Sequence, residues 1–447
     1  MIGDLGLAIR TTGEVFSDGT SIELIRAADS GRHLLMLCAA DSQMVAPRVD
    51  AHAQTYVPAD LEPWLSRAIT LPSSYNDYGR TSDLFAEVRE LFKAHGFGDE
   101  VSLPAAYFVF ASWFPECSEV APGISITGPW FEATVLLHLL ECITRHPLRL
   151  GEFTRSGICT LPLELQLTLL VDQRELNASA RSFLTASAHR GAYIHWHGTL
   201  IDVFRARALY RGNSLGAGDF DDLTLRVHLA PSRGRLSILD AIAKRAIADE
   251  FQGKMLAYRC RNISTVRESR FELSGFASGT RILSRVFGSC IVDAPEIQAG
   301  LEGLLQVQED HDRVGRWTDL RCVAVEALLY HCHVEQKEKI YVGKATSTAS
   351  AILSGRGETT LLSPEKFGRV LRFLGLAPQR DNKGFGISLT DRVRRRIHEL
   401  ARDYDVAAVQ EATARCPLCS EILSAAGPGD QNGFGSGNDD AESKQRT

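Results

Sequence analysis

Between Pro122 and Pro231, short apolar runs alternate with stretches of helical period, and no other feature limits the fold of this chain as strongly. The runs Gly123–Thr127, Leu167–Val171, Ala192–Trp196 and Leu223–Leu229 read as strands. Val135–Thr144, Ala178–Ala188 and Ile201–Tyr210 read as helices between them. Strands separated by helices must run mostly parallel, and the helices then cover both faces of the sheet. The expected fold class is therefore α/β.

The flanks differ in character. Residues 1–80 carry short β-type segments (Leu7–Arg10, Ser21–Ile25, Leu34–Cys38), with a turn signal at Ser17–Thr20, and predict a small β-rich N-terminal domain. A charged amphipathic helix near Ser82–Ala94 and an aromatic segment, Ala105–Phe114, lead into the α/β domain, taken as 81–235. A helical region follows over 236–316, then a domain over 317–406, then a cysteine-containing segment and tail over 407–447. Past Ala425 the chain is Gly, Asp, Asn, Ser and Lys, a composition that predicts disorder.

The 447 residues carry a formal charge of -6, which argues against a general nucleic-acid coat. The charge is uneven, however: residues 363–402 hold 10 Lys/Arg against 4 Asp/Glu, a local +6 that leaves -12 elsewhere. The 10 cysteines show no framework spacing and read as reduced thiols, hence a cytoplasmic protein. No signal peptide is expected at Met1, and Leu103–Phe114 is too short to span a bilayer, so no membrane association is expected.

Gly128–Thr134 has the strand, loop and helix order of a phosphate-binding loop without its chemistry. Such a loop wraps phosphates with glycine N–H groups, reaches them with Lys, and holds magnesium through Ser/Thr. With Thr134 at the last position, Ala133 replaces the Lys and Glu132 the inner Gly. Counting from Gly128, the loop is also one residue short, and Trp130 and Phe131 are expected to fill the phosphate space. Asp172 ends an apolar run 38 residues after Thr134 and could orient magnesium; Gln173 is a poor substitute for a water-polarising carboxylate. Gly128, Thr134, Asp172 and Gln173 thus form a vestigial nucleotide set. The competing reading is any α/β domain with a tight turn at Gly128.

The C-terminal third predicts a winged helix. Leu320–His333 reads as a helix, Lys339–Val342 as a strand and Thr346–Leu353 as a second helix. Ser363 caps and Pro364 opens a third helix that closes at Gly375. Gln379–Leu389 forms a hairpin around Asn382–Gly384, and Asp391–Tyr404 a final helix. Lys366, Arg369 and Arg372 then face outward from the recognition helix, Arg380 and Lys383 sit on the wing, and Arg392, Arg394, Arg395 and Arg396 lie on the closing helix. That spread suits phosphate contacts, so DNA is the expected partner; the alternative is a protein-contact domain with solvated or paired arginines.

Cys416 and Cys419 make half of a zinc knuckle, which His331, Cys332 and His333 could complete only if the fold brought them near. His195 and His197 share one face of an expected strand. No serine, cysteine or paired-carboxylate catalytic site is apparent. No cofactor is expected, with ATP and magnesium, or zinc at the cysteine pair, as the alternatives.

Taken together, the Gly128–Pro129 loop and its helix, Leu169–Asp172, a strand after Ala188–Gly191, the helical region, Leu362–Leu376 and Arg395–Ala401 resemble a known group. Over about residues 100–405 the chain is similar to uncharacterised bacterial proteins that look like the P-loop ATPase part of phage and plasmid primase-helicases with a C-terminal winged helix. The resemblance implies a P-loop NTPase-like sheet. Only Asp172 and Thr134 match its nucleotide residues, so it implies impaired hydrolysis. The expected function is that of a non-hydrolysing P-loop-like protein that associates with DNA. The alternatives are a weakly active ATPase or helicase-like protein of DNA metabolism, or a protein-interaction scaffold.

Overall fold

The computed structural model describes residues 8–418 apart from 40–41, 153, 160, 162–164, 213–222, 233–235, 334–337, 360–361, 405 and 407–415. Cys419 and the tail lie outside the described residues. The chain divides into two compact units, Met1–Glu309 and Asp310–Thr447.

In the first unit, β1 (Ile9–Thr11), β2 (Gly13–Val15), β3 (Ser21–Arg26), β4 (His33–Ala39), β5 (Ser42–Ala46), β6 (Val49–Ala51) and β7 (Gln54–Pro58) form two small sheets. One is the antiparallel run β2-β3-β4-β5, the other β1-β7-β6. α1 (Pro63–Ala68), α2 (Thr81–Ala94) and α3 (Asp99–Ser112) follow. The aromatic segment of the sequence lies within and just after α3, which is buried almost all round and therefore shows no polar stripe.

The central sheet has the order β14-β8-β13-β10-β9, all parallel. Its strands are β8 (Gly123–Thr127), β9 (Pro147–Leu150), β10 (Thr168–Asp172), β13 (Arg207–Arg211) and β14 (Leu225–His228). α4 (Trp130–Ile143) follows β8, α5 (Arg155–Cys159) follows β9 and α6 (Ala178–Ala186) follows β10. The mixed α/β class and the parallel sheet therefore stand. Three elements differ: Pro147–Leu150 is a sheet strand that the sequence reading lacks, Ala192–Trp196 lies outside the parallel sheet, and Ile201–Tyr210 is not a helix. β11 (Tyr193–Trp196) and β12 (Thr199–Asp202) make an antiparallel hairpin, and the fourth sheet strand is β13. Ala208 and Leu209 are fully buried inside the sheet, and so short an apolar run has no period to distinguish strand from helix.

α7 (Ala241–Glu268), α8 (Ser278–Gly288) and α9 (Pro295–Arg316), within which the unit boundary falls, complete the helical region. A buried ion network joins these parts. Glu23 of β3 accepts from Arg145 at 2.9 Å, just beyond α4, and from Arg259 of α7 at 2.6 Å. Arg259 also pairs with Glu116 and donates to the Trp113 carbonyl. Burial favours neutral Glu23, but the two guanidiniums outweigh it and hold its carboxyl at about 2.

The second unit contains α10 (Leu320–His333), β15 (Lys339–Tyr341), α11 (Val342–Gly355), α12 (Pro364–Phe373), β16 (Gln379–Asp381), β17 (Gly384–Ser388) and α13 (Asp391–Asp403). Its sheet has the order β15-β17-β16. Val323, Leu328, Ile340, Phe367, Leu371, Ile387 and Ile397 share one core.

Candidate functional sites

In an open parallel sheet, ligands bind beyond the carboxyl ends of the strands where the connections diverge. Here the chain leaves β8 for β9 on one side and leaves β13 for β14 on the other, which puts that place between β8 and β13. Three contacts close it. Gly128 has φ +119°, and a Cβ there would stand 2.3 Å from the Leu229 carbonyl oxygen, so the turn is pressed onto the chain after β14 and only glycine fits. The Tyr210 hydroxyl of β13 donates to the Gly128 carbonyl at 3.0 Å. Thr127 Oγ1 and His228 Nδ1 are 2.6 Å apart.

At the start of α4, the buried Glu132 carboxylate accepts from the Ser232 N–H at 2.6 Å. A negative group thus already occupies the positive end of the helix dipole, where a phosphate would otherwise bind. Ala133, at the lysine position, is fully buried. Trp130 and Phe131, by contrast, do not fill the loop: they are 46% and 37% exposed, with the Arg174 guanidinium 5.8 Å from the Trp130 ring. Helical phase turns both outward, so the loop is closed by Leu229 and Glu132 instead.

The other expected residues of this set stand as follows. Thr134 Oγ1 and Asp172 Oδ1 are buried without a hydrogen-bond partner among the described residues. Asp172 Oδ2 is 3.4 Å from Arg149 Nη1, a loose pair. Gln173 Nε2 donates to the Glu175 carbonyl at 2.9 Å and serves its own turn. Two buried oxygens, Thr134 Oγ1 and Asp172 Oδ1, are thus without partners among the described residues, while Glu132 stands at the start of α4.

A cavity of 520 Å³ lies elsewhere in this unit, lined by Glu116, Gln166, Arg190, Asp202 and Arg205 among others. Its guanidiniums are engaged with backbone: Arg190 donates to the Ser118 and Pro115 carbonyls, and Arg205 to those of Val203 and Asp202. His197 lies in the turn of the β11–β12 hairpin with φ +47°, so it does not share a strand face with His195. Among the described residues, no group of three metal-ligating side chains includes either of them.

In the second unit, the Ser363 hydroxyl accepts from the Lys366 N–H at 3.2 Å and caps α12. Leu376 N–H donates back to the Leu371 carbonyl at 2.8 Å across Gly375, whose φ is +76°. With both ends set, Phe367, Val370, Leu371 and Leu374 turn into or against the core. Lys366, Arg369 and Arg372 are exposed on the opposite side, with no acidic partner among the described residues.

Arg380 and Lys383 are exposed on the β16–β17 hairpin, whose Gly384 has φ +122°. Asp381 anchors that hairpin: it takes Lys339 Nζ at 2.5 Å, Tyr341 Oη at 3.1 Å and the Lys383 N–H at 2.8 Å. The Lys339 hydrogen bond in particular holds the Asp381 carboxyl at about 2. On α13, Arg392 and Arg395 are exposed, and Arg396 lies 3.5 Å from Glu399. Arg394 differs from the expectation, because its guanidinium donates to the Leu389 carbonyl at 3.1 Å and is used within the fold.

The fold also assembles a group that the sequence keeps apart. His333 closes α10, His398 lies on the buried side of α13 and Cys416 follows α13; their ligating atoms all lie within 4.8 Å of one another. Of the cysteine pair named from sequence, Cys416 is thus grouped with His333 and not with His331, which bonds Thr348 at 3.0 Å. Cys419 lies outside the described residues.

No protein-family model and no curated protein matches the chain. Among solved structures, the apo A form of the NrS-1 C-terminal region is 8% identical, with 83% of this chain and 97% of that chain covered and a TM-score of 0.34. Drosophila ORC bound to DNA is 11% identical, with 71% and 92% covered and a TM-score of 0.20. Cdc6p from Pyrobaculum aerophilum is 12% identical, with 68% and 94% covered and a TM-score of 0.18. At these TM-scores the likenesses transfer no ligand and no role to any residue here. No helix among the described residues is long and apolar enough to cross a membrane.

Proposed function

We propose that Asp310–Thr447 is a winged-helix unit that binds duplex DNA, with α12 as the recognition helix and the β16–β17 hairpin as the wing. The sheet of Met1–Glu309 serves as a P-loop-like support that does not hydrolyse nucleotide. The observation that carries this reading is the α12 face bearing Lys366, Arg369 and Arg372, exposed and without acidic partners among the described residues, opposite Phe367 and Leu371. A face of cations left to solvent gains little from its own fold and much from phosphates, whose counterions it releases. An α-helix fits the major groove, and hairpin cations such as Arg380 and Lys383 suit a flanking backbone.

On α13, Arg392, Arg395 and Arg396 are exposed as well, Arg396 beside Glu399, while Arg394 is used within the fold. The closed turn at Gly128 and the carboxylate at Glu132 support the absence of hydrolysis. A second reading, a weakly active ATPase, draws on the unsatisfied oxygens of Thr134 and Asp172.

Fluorescence anisotropy of a labelled duplex with the full chain tests the DNA reading through Arg369→Ala/Arg372→Ala. Each charged contact is worth roughly 1–1.5 kcal/mol, so the pair is expected to weaken binding by about 30- to 150-fold at moderate salt. Unchanged affinity would remove α12 as the recognition element.

A further inference from the structure

We propose that His333 Nε2, His398 Nε2 and Cys416 Sγ hold a zinc ion that fastens the segment at Cys416 to the end of α10 and the middle of α13. This goes beyond the DNA reading and does not depend on it. The two Nε2 atoms are 3.0 Å apart, and Cys416 Sγ is 3.3 Å from His398 Nε2. Ligands at about 2.0–2.1 Å (N) and 2.3 Å (S) around a tetrahedral zinc stand roughly 3.3–3.6 Å from each other. The His333–His398 and His398–Cys416 separations thus lie within a few tenths of an ångström of that range, and the third pair, His333–Cys416, lies within 4.8 Å and closes onto the ion by about 1 Å at most.

Hydrogen bonding among the three explains the cluster less well than a cation does. His398 Nδ1 lies 2.7 Å from the Arg394 carbonyl, which can only accept, so Nδ1 carries the proton. In the neutral ring, Nε2 is then bare, with its lone pair directed at the cluster. That single lone pair has two close neighbours, His333 Nε2 and Cys416 Sγ, and can satisfy only one of them well. A metal ion at the centre takes a lone pair from each atom. The Arg394 carbonyl then does for His398 what outer partners commonly do for metal-bound histidines: it fixes tautomer and ring orientation. His398 is only 3% exposed, so its position is set by packing before any ion arrives.

The donor set favours zinc among common metals. Two imidazoles and a thiolate are borderline-soft ligands, a combination typical of zinc. The other centre known for such a set is a copper site whose weak axial ligand is commonly methionine, and Asp310–Thr447 contains no methionine. Binding costs one proton: the Cys416 thiol ionises, its S–H proton passes to solvent, and both imidazoles bind neutral.

The test is cobalt and zinc titration of the full chain, purified with its thiols reduced and then stripped with chelator. The expected result is one Co²⁺ per chain, with a thiolate-to-cobalt charge-transfer band that zinc removes stoichiometrically. Cys416→Ser is expected to abolish that band while far-ultraviolet circular dichroism stays unchanged. His333→Asn, at the half-buried end of α10, is expected to weaken Co²⁺ binding without removing the thiolate band at saturating metal. Failure of the wild-type chain to bind Zn²⁺ or Co²⁺ at micromolar concentration would overturn the proposal, as would a thiolate band that persists in Cys416→Ser.

Discussion

Replacing Glu23 with alanine strips the negative partner from two buried guanidiniums at once. Glu23 is 2% exposed, and its side chain accepts from Arg145 at 2.9 Å and Arg259 at 2.6 Å, both arginines being nearly fully buried. Removing one member of a buried pair typically costs about 3–5 kcal/mol, because the remaining charge is left uncompensated. Arg259 keeps Glu116, whereas among the described residues Arg145 keeps only the Gln166 amide oxygen at 3.0 Å, so the loss falls mainly on Arg145. The held-down carboxyl leads to a similar size: a drop from 4.5 to about 2 corresponds to about 3 kcal/mol. Because the folded value lies below the unfolded one, this contribution is complete above about pH 4.5 and is lost as pH falls towards 2.

Tryptophan fluorescence follows the unit conveniently, since Trp64, Trp113, Trp130 and Trp196 belong to it and only Trp317 to the other. At roughly 2–3 °C per kcal/mol for a domain of this size, Glu23→Ala should lower its midpoint by about 6–15 °C at pH 7. Glu23→Leu combined with Arg145→Met should recover part of that loss, because no unpaired charge then remains at Arg145. A shift below about 2 °C for Glu23→Ala, or no recovery in the double variant, would refute the network as the tie between β3 and α7.

Gly128→Ala should destabilise the same unit by about 3 kcal/mol or more in chemical denaturation, since φ +119° and the Leu229 carbonyl both exclude a Cβ; a cost below 1 kcal/mol would mean that the turn relaxes freely. His138→Leu should instead stabilise by about 1–2 kcal/mol, because both ring nitrogens are buried without hydrogen bonds among the described residues. Burial holds this histidine at about 4, so its contribution is complete above pH 6.5 and lost as pH falls towards 4; the variant should lose less stability across that window. Calorimetry with millimolar ATP and magnesium should give no binding heat, whereas micromolar binding abolished by Asp172→Ala would establish a working nucleotide site.

The strand, turn and helix around Gly128 were legible from sequence because an alternating strand, an obligatory glycine and an apolar helix are local signals. So were the caps of α12, where Ser363, Pro364 and Gly375 act within one turn of their own positions. Trp130 and Phe131 were misread as plugs because their direction depends on helical phase against a core that the sequence does not display. Residues 201–210 were misread because the bend at Phe204–Arg205 is held by local bonds to Asp202 and Val203, while Ala208 and Leu209 gain their strand neighbours only from β8 and β10. The ion network and the His333–His398–Cys416 cluster carry no local signal. Glu23 and Arg259 are 236 positions apart, His333 and His398 65, and only the fold makes them neighbours.

The most direct measurement of DNA binding through α12 is the salt dependence of duplex affinity for the full chain, read by anisotropy between 50 and 300 mM salt (about a sixfold range). With Lys366, Arg369, Arg372, Arg380 and Lys383 each meeting a phosphate, the slope of log K against log salt should be about -4 to -5, from roughly -0.9 per contact. In Arg369→Ala/Arg372→Ala it should flatten by about 2. Absence of duplex binding at low salt, or an identical slope in the double variant, would contradict it.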